Sequence, residues 1–137
     1  MVGQRRGKRS LCPLNVSLEI LGDRWTLLIV RDLMLKERKT FREFLEGGEN
    51  IATNILTNRL AQLEAHGLVA RRPNAQDGRG QIYRLTEKGI ALAPVLLEMI
   101  VWAARHEETA APPSEVRKML KHRDAYLADI RARWAKG

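Results

Sequence analysis

The residues of this chain best suited to recognition are Thr53, Asn54, Thr57 and Asn58. Amide and hydroxyl groups hydrogen-bond base edges or phosphates, and an asparagine can address adenine through two bonds. Advancing 100° per residue over 52–66 puts these four and the small Ala61 on one arc. The opposite arc carries Ala52, Leu56, Leu60 and Leu63. A small side chain at Ala61 lets such a helix sit close to a groove. Arg59 falls at the edge of the apolar arc, where it reaches a phosphate or braces a neighbouring helix. A second basic group comes from Asp77-Gly-Arg-Gly80, which reads as a flexible hairpin tip exposing Arg79. Arginine in a narrow minor groove gains from the groove's negative potential.

Cys12 is the third candidate for chemistry. It stands just before Pro13, so its sulfur can sit at the positive end of a helix, where a thiolate is favoured. Lys8 and Arg9 push in the same direction. The plainer alternative is a Cys-Pro helix start with no sensing role. One cysteine excludes an intrachain disulfide and leaves an intersubunit one open. His66, His106 and His122 lack the spacing of a metal site, and Cys12 is far from them in sequence. No glycine-rich phosphate loop follows a strand and no nucleophile motif occurs. Neither a cofactor nor an enzymatic reaction is expected.

These residues need elements to hold them. The chain has 137 residues, a net charge of +8 and a sequence pI near 10.2. That length suits one domain, and that charge favours a polyanionic partner. No apolar run approaches the ~18 residues of a membrane span, and no signal-peptide core opens the chain, so a cytoplasmic location is expected.

Met1 to Ser10 reads as a basic arm containing Arg5, Arg6, Lys8 and Arg9. Pro13 opens a first helix, and Gly22 closes it. Asp23 caps a second, Arg24 to Met34. Thr40-Phe-Arg-Glu43 fits a capping box for a short helix, Phe41 to Glu46, broken by Gly47-Gly48. The 52–66 helix follows, completing a helix-turn-helix and ending at Gly67. Two strands, Leu68 to Pro73 and Gln81 to Thr86, flank the basic tip. Thr86-Glu-Lys-Gly89 starts a helix that runs through to Ala104. After a polar linker, Ser114 caps a last helix bearing Val116, Leu120, Leu127, Ile130 and Trp134, with Arg123 in the middle of the series.

With these pieces in order, the sequence resembles the HxlR-type transcriptional regulators, bacterial winged helix-turn-helix proteins of MarR-like architecture. The resemblance rests on Cys12-Pro13, Gly22-Asp-Arg-Trp-Thr-Leu-Leu-Ile-Val-Arg-Asp-Leu33, Phe41-Arg-Glu-Phe-Leu45, Leu56-Thr-Asn-Arg-Leu60, Leu63-Glu-Ala-His-Gly-Leu-Val69 and Tyr83-Arg-Leu-Thr-Glu-Lys-Gly89. It covers about residues 11 to 105. It implies a mainly α fold with a small β-hairpin wing, and a homodimer on pseudo-palindromic operators that represses or activates nearby genes. Recognition roles then fall on Thr53, Asn54, Thr57, Asn58 and Arg59, and the wing role on Arg79. Some relatives are similar in sensing oxidants or electrophiles with an N-terminal cysteine, which would be Cys12. Two departures matter: Ala52 stands where the family often has a hydroxyl cap, and Asn54 where it often has a basic residue. The cap is then expected at Asn50 or Thr53.

The expected organisation is a basic arm over 1–10, a winged helix-turn-helix domain over 11–105, and a linker with a C-terminal dimerisation helix over 106–137. Dimerisation would use the first helix, the 92–104 helix and the last helix. Expected partners are double-stranded DNA, a second copy of the chain and an oxidant or small-molecule effector of unknown identity, with no membrane. Two other readings share the basic surface: an architectural DNA binder without site preference, and an adaptor that binds protein only. The uncharged Asn/Thr face argues against the first, and the charge and Arg79 against the second.

Overall fold

The computed structural model describes residues 10–137, so the expected arm with Arg5, Arg6, Lys8 and Arg9 lies outside the described residues. The chain order is α1 (Pro13–Leu21), α2 (Arg24–Leu35), α3 (Phe41–Leu45), α4 (Thr53–Ala65), β1 (Val69–Asn74), β2 (Asp77–Leu85), α5 (Glu87–Ile90), α6 (Ala93–His106), α7 (Pro113–Lys121) and α8 (Arg123–Lys136). α2, α3, α4 and the antiparallel β1–β2 hairpin form a winged helix-turn-helix.

Local chemistry explains most boundaries. The Asp23 carboxylate accepts the Trp25 and Thr26 amides at 2.9 and 3.1 Å and so starts α2. Thr40 Oγ1 accepts the Glu43 amide at 3.2 Å while Glu43 Oε1 accepts the Thr40 amide at 3.1 Å, a complete capping box for α3. α4 ends where Gly67 turns left-handed at φ +75°. There the Leu68 amide reaches back to the Leu63 carbonyl at 2.9 Å and the Gly67 amide to that of Glu64 at 3.0 Å.

Four expectations change. α4 is capped by neither Asn50 nor Thr53: Ala52 is the cap residue and offers no side-chain bond. Asn50 instead holds a left-handed turn at φ +61°, and Thr53 is the first helical residue. The hairpin is tighter than expected. Asn74 pairs with Asp77, leaving Ala75-Gln76 as the tip. Asn74 Oδ1 takes the Gln76 amide at 3.0 Å and Asp77 Oδ1 that of Arg79 at 3.2 Å, two side-chain-closed turns that pull the strands together. Pro73 pairs with Gln81, so Gly78, Arg79 and Gly80 bulge from β2 beside the tip.

The helix expected from Thr86 to Ala104 is two helices. Pro94 has no N–H to give the Ile90 carbonyl, so α5 stops and α6 starts again with that proline in its first turn. The last helix is likewise two. Pro112 is the cap residue of α7 and Pro113 its first residue, which moves Ser114 inside the first turn. His122 breaks the path at φ −126°, ψ 45°. The apolar phase changes there: α7 buries Met119 and exposes Leu120, while α8 turns Tyr126, Leu127, Ile130 and Trp134 inward. Arg123, which interrupted the apolar series, pairs with Glu98 on α6.

The main core gathers Val30 of α2, Phe44 of α3, Leu56, Leu60 and Leu63 of α4, Val69 and Leu85 of the strands, Ile90 and Ile130. Each such side chain contributes about 1.5–3 kcal/mol on burial. α1 buries no residue. No described helix is long and apolar enough to cross a membrane.

Candidate nucleic-acid interface

Burial of Leu56, Leu60 and Leu63 against α2 and β1 fixes the rotation of α4, so its Thr53, Asn54, Thr57, Asn58 and Ala61 face is exposed. The five expected recognition residues are not equivalent. Thr57 Oγ1 donates back to the Thr53 carbonyl at 3.0 Å, which occupies its proton. Asn58 Oδ1 accepts from Arg59 Nη1, leaving its amide NH2 to donate outward. Thr53 and Asn54 have no side-chain partner among the described residues. Both can offer every donor and acceptor they have.

Arg59 is half-buried, and its Nε donates to Asp23 Oδ2 at 2.8 Å. It braces α4 against the cap of α2, the second of the two roles its position suggested. Burial pushes the Asp23 carboxyl up, but the Thr26 hydroxyl, the Arg59 guanidinium and the two cap amides outweigh it and set its pKa at about 2. Asp23 is therefore a fixed negative charge.

The turn between α3 and α4 is pinned to α2. Glu49 Oε2 meets Arg31 Nη1 at 2.9 Å, and Glu49 Oε1 lies 3.7 Å from Arg24. The hydrogen bond from Arg31 holds the Glu49 carboxyl below the usual range. Arg31 also contacts Asp32, which is 5% exposed and takes Arg38 Nη1 at 2.9 Å. One buried carboxylate thus ties α2 to the loop that enters α3. This network was invisible in the sequence, because spacing alone does not reveal which surface charges converge.

Arg79 is exposed in the bulge of β2, three residues past the Ala75-Gln76 tip and not at its apex. The wing is held to the helices by the Tyr83 amide on the Lys39 carbonyl at 2.9 Å and by the Phe44–Tyr83 ring contact at 6.0 Å. Arg71 on β1 reaches Glu64 of α4 at 3.3 Å.

Cys12 is exposed and is the cap residue of α1, without a side-chain cap hydrogen bond. The neighbouring amides of Asn15 and Leu14 nonetheless lower its thiol pKa. Leu11 just before α1, and Leu14 and Leu18 one turn apart on it, stand exposed. Val95, Met99 and Trp102 do the same on α6, spaced to share one helical face. Leu14 is 67% and Trp102 62% exposed, values unusual for a finished surface.

The signature of the HxlR-like helix-turn-helix family matches residues 20–111. YodB of Bacillus subtilis, an HTH-type transcriptional regulator, is 38% identical over 95 residues, which span 69% of this chain and 84% of that protein. An uncharacterised HTH-type regulator of Synechocystis sp. is 33% identical over 89 residues, 65% of either chain. Among solved structures, the redox regulator HypR in its oxidised form superposes with a TM-score of 0.62 at 30% identity, covering 72% of this chain and all (100%) of that one. The quinone-bound form of Bacillus subtilis YodB gives 0.57 at 36% identity over 69% of this chain and 99% of that one.

Proposed function

This chain belongs to the HxlR-like helix-turn-helix family of transcriptional regulators, and from that premise we infer a sequence-specific regulator that binds duplex DNA as a homodimer on pseudo-palindromic operators. The observation that carries the reading is the exposed face of α4, where Thr53 and Asn54 present unengaged polar groups. A binder without site preference would place lysine or arginine there. In this reading Thr53 and Asn54 address base edges in the major groove, Asn58 donates through its amide, and Thr57 accepts. Arg59 holds the helix in place, and Arg79 sits along the backbone or the minor groove from the wing.

One recognition helix reads few base pairs, and two copies about 34 Å apart meet successive major grooves. The exposed apolar faces of α1 and α6 support symmetric pairing through those helices. The apolar residues of α8 are engaged within their own chain, so the surface assigned to dimerisation is that of α1 and α6.

The reading extends to a signal. Cys12 is exposed, has a lowered pKa and starts the helix assigned to the dimer surface. Oxidation or alkylation of its sulfur there changes dimer geometry and releases DNA. The redox regulator HypR and the quinone-bound YodB are the neighbours that support this step.

Competition decides between site-specific and general binding. A duplex carrying the operator should stay bound against excess heparin and unrelated duplex, whereas equal displacement by both would mean that only backbone charge is being read.

A further inference from the structure

A cleft of about 440 Å³ opens behind the wing, between the outward side of the β1–β2 sheet and the C-terminal ends of α2 and α8. That volume lies within the roughly 300–1,000 Å³ typical of small-molecule sites. Tyr83 and Leu85 point into the core, so Ile82 and Arg84 alternate outward, with Arg72 of β1 opposite Ile82. Lys39, Arg133 and Lys136 complete its basic lining. Arg133 is paired with Asp129 at 3.0 Å. Lys39, Arg72, Arg84 and Lys136 have no carboxylate at ion-pair distance among the described residues.

The aromatic component is Trp134. Its indole N–H donates to the Leu85 carbonyl at 2.9 Å and locks α8 onto β2. The Arg84 guanidinium lies over its ring at 4.8 Å, so this cation is held in place and is not a waving surface charge. Glu37 adds one carboxylate to the lining, which disfavours a polyanion such as a nucleic-acid backbone. Converging unpaired cations around an indole and an aliphatic wall suit a flat ring carrying one negative charge.

We propose that this cleft binds a small aromatic carboxylate. The carboxylate meets Arg72 and Arg84, and the ring packs against Ile82 and the Trp134 edge. Trp134 lies beyond residues 20–111, so this wall of the cleft is built by a part of the chain outside the family signature. Because Arg72 and Arg84 belong to the wing strands, an occupant touches the wing and α8 together.

The test is calorimetric titration of the full chain with 1-naphthoate and with the uncharged 1-naphthalenemethanol. Naphthoate should bind at least tenfold tighter than the alcohol. Arg84→Gln should weaken it at least tenfold. Arg72→Gln, which leaves the Trp134 stack intact, should do so while melting like the parent. Absence of naphthoate binding, equal binding of acid and alcohol, or binding unchanged in both variants would overturn the proposal. The titration contains no DNA, so its failure and a failure of operator recognition are separate results.

Discussion

Arg59 of the recognition helix and Asp23, the cap of α2, are joined by a charged hydrogen bond of 2.8 Å across 36 residues of sequence. The same carboxylate starts α2 and braces α4, so a capping residue helps to aim the α4 face proposed to read DNA. Asp23→Ala removes both roles and should cost about 1–2 kcal/mol in chemical denaturation. Arg59→Ala should cost about 0.5–1 kcal/mol, and a double-mutant cycle should show the two coupled.

The pH dependence of this link has a definite sign. Asp23 titrates at about 2 in the folded chain, below the ~3.9 of an unfolded aspartate. Its contribution is present in full above about pH 4 and is lost as the pH falls through 2. Allowing for solvent screening of a carboxylate that is about a third exposed, roughly 1 kcal/mol is at stake. Acid unfolding of parent and Asp23→Asn should converge below about pH 2.

Asn54 and Arg79 should respond differently to truncation. Asn54→Ala should relax discrimination at particular base pairs by about 1–3 kcal/mol. Arg79→Ala should weaken all sites alike and flatten the salt dependence. Binding curves against a set of single-base operator variants measure both, and the reverse pattern would exchange the roles of α4 and the wing.

Leu18→Glu and Trp102→Glu place charges on exposed positions that no core needs. Each should leave the helical content unchanged, shift sedimentation from dimer to monomer and lower operator affinity at least tenfold. A variant that stays dimeric would move the interface away from α1 and α6.

Gly89 is a packing requirement. A Cβ there would come within 2.2 Å of the Leu68 carbonyl oxygen, where α5 crosses the entrance to β1. Gly89→Ala should destabilise the fold by about 2 kcal/mol or more, whereas Gly67→Ala, in open space but at φ +75°, should cost about 1 kcal/mol. Thermal melts separate the two.

Treated with quinone, the parent should lose operator affinity while Cys12→Ser keeps it. Equal loss in both proteins would remove Cys12 from any sensing role.

Much of this was legible in the residues because local signals agreed with one another. The Asp23 cap, the Thr40–Glu43 box and the Leu56, Leu60 and Leu63 series are short-range features, and each is present. The errors came where a nearby residue could act in two ways. Pro94 and Pro113 restarted helices, and Asn74 and Asp77 closed turns with their side chains. At Trp134, spacing showed an apolar face without its partner, and the indole bond to the Leu85 carbonyl supplies one within the chain. For Arg59 the sequence left a phosphate contact and a helix brace both open, because its ion-pair partner Asp23 lies far off along the chain.

The central claim is recognition of specific DNA by a symmetric dimer, and affinity selection of genomic fragments by the reduced protein at physiological salt tests it most directly. The account predicts recovery of one pseudo-palindrome with half-sites about one helical turn apart. Recovery of fragments that share no sequence, with retention falling steeply as salt rises, would contradict it.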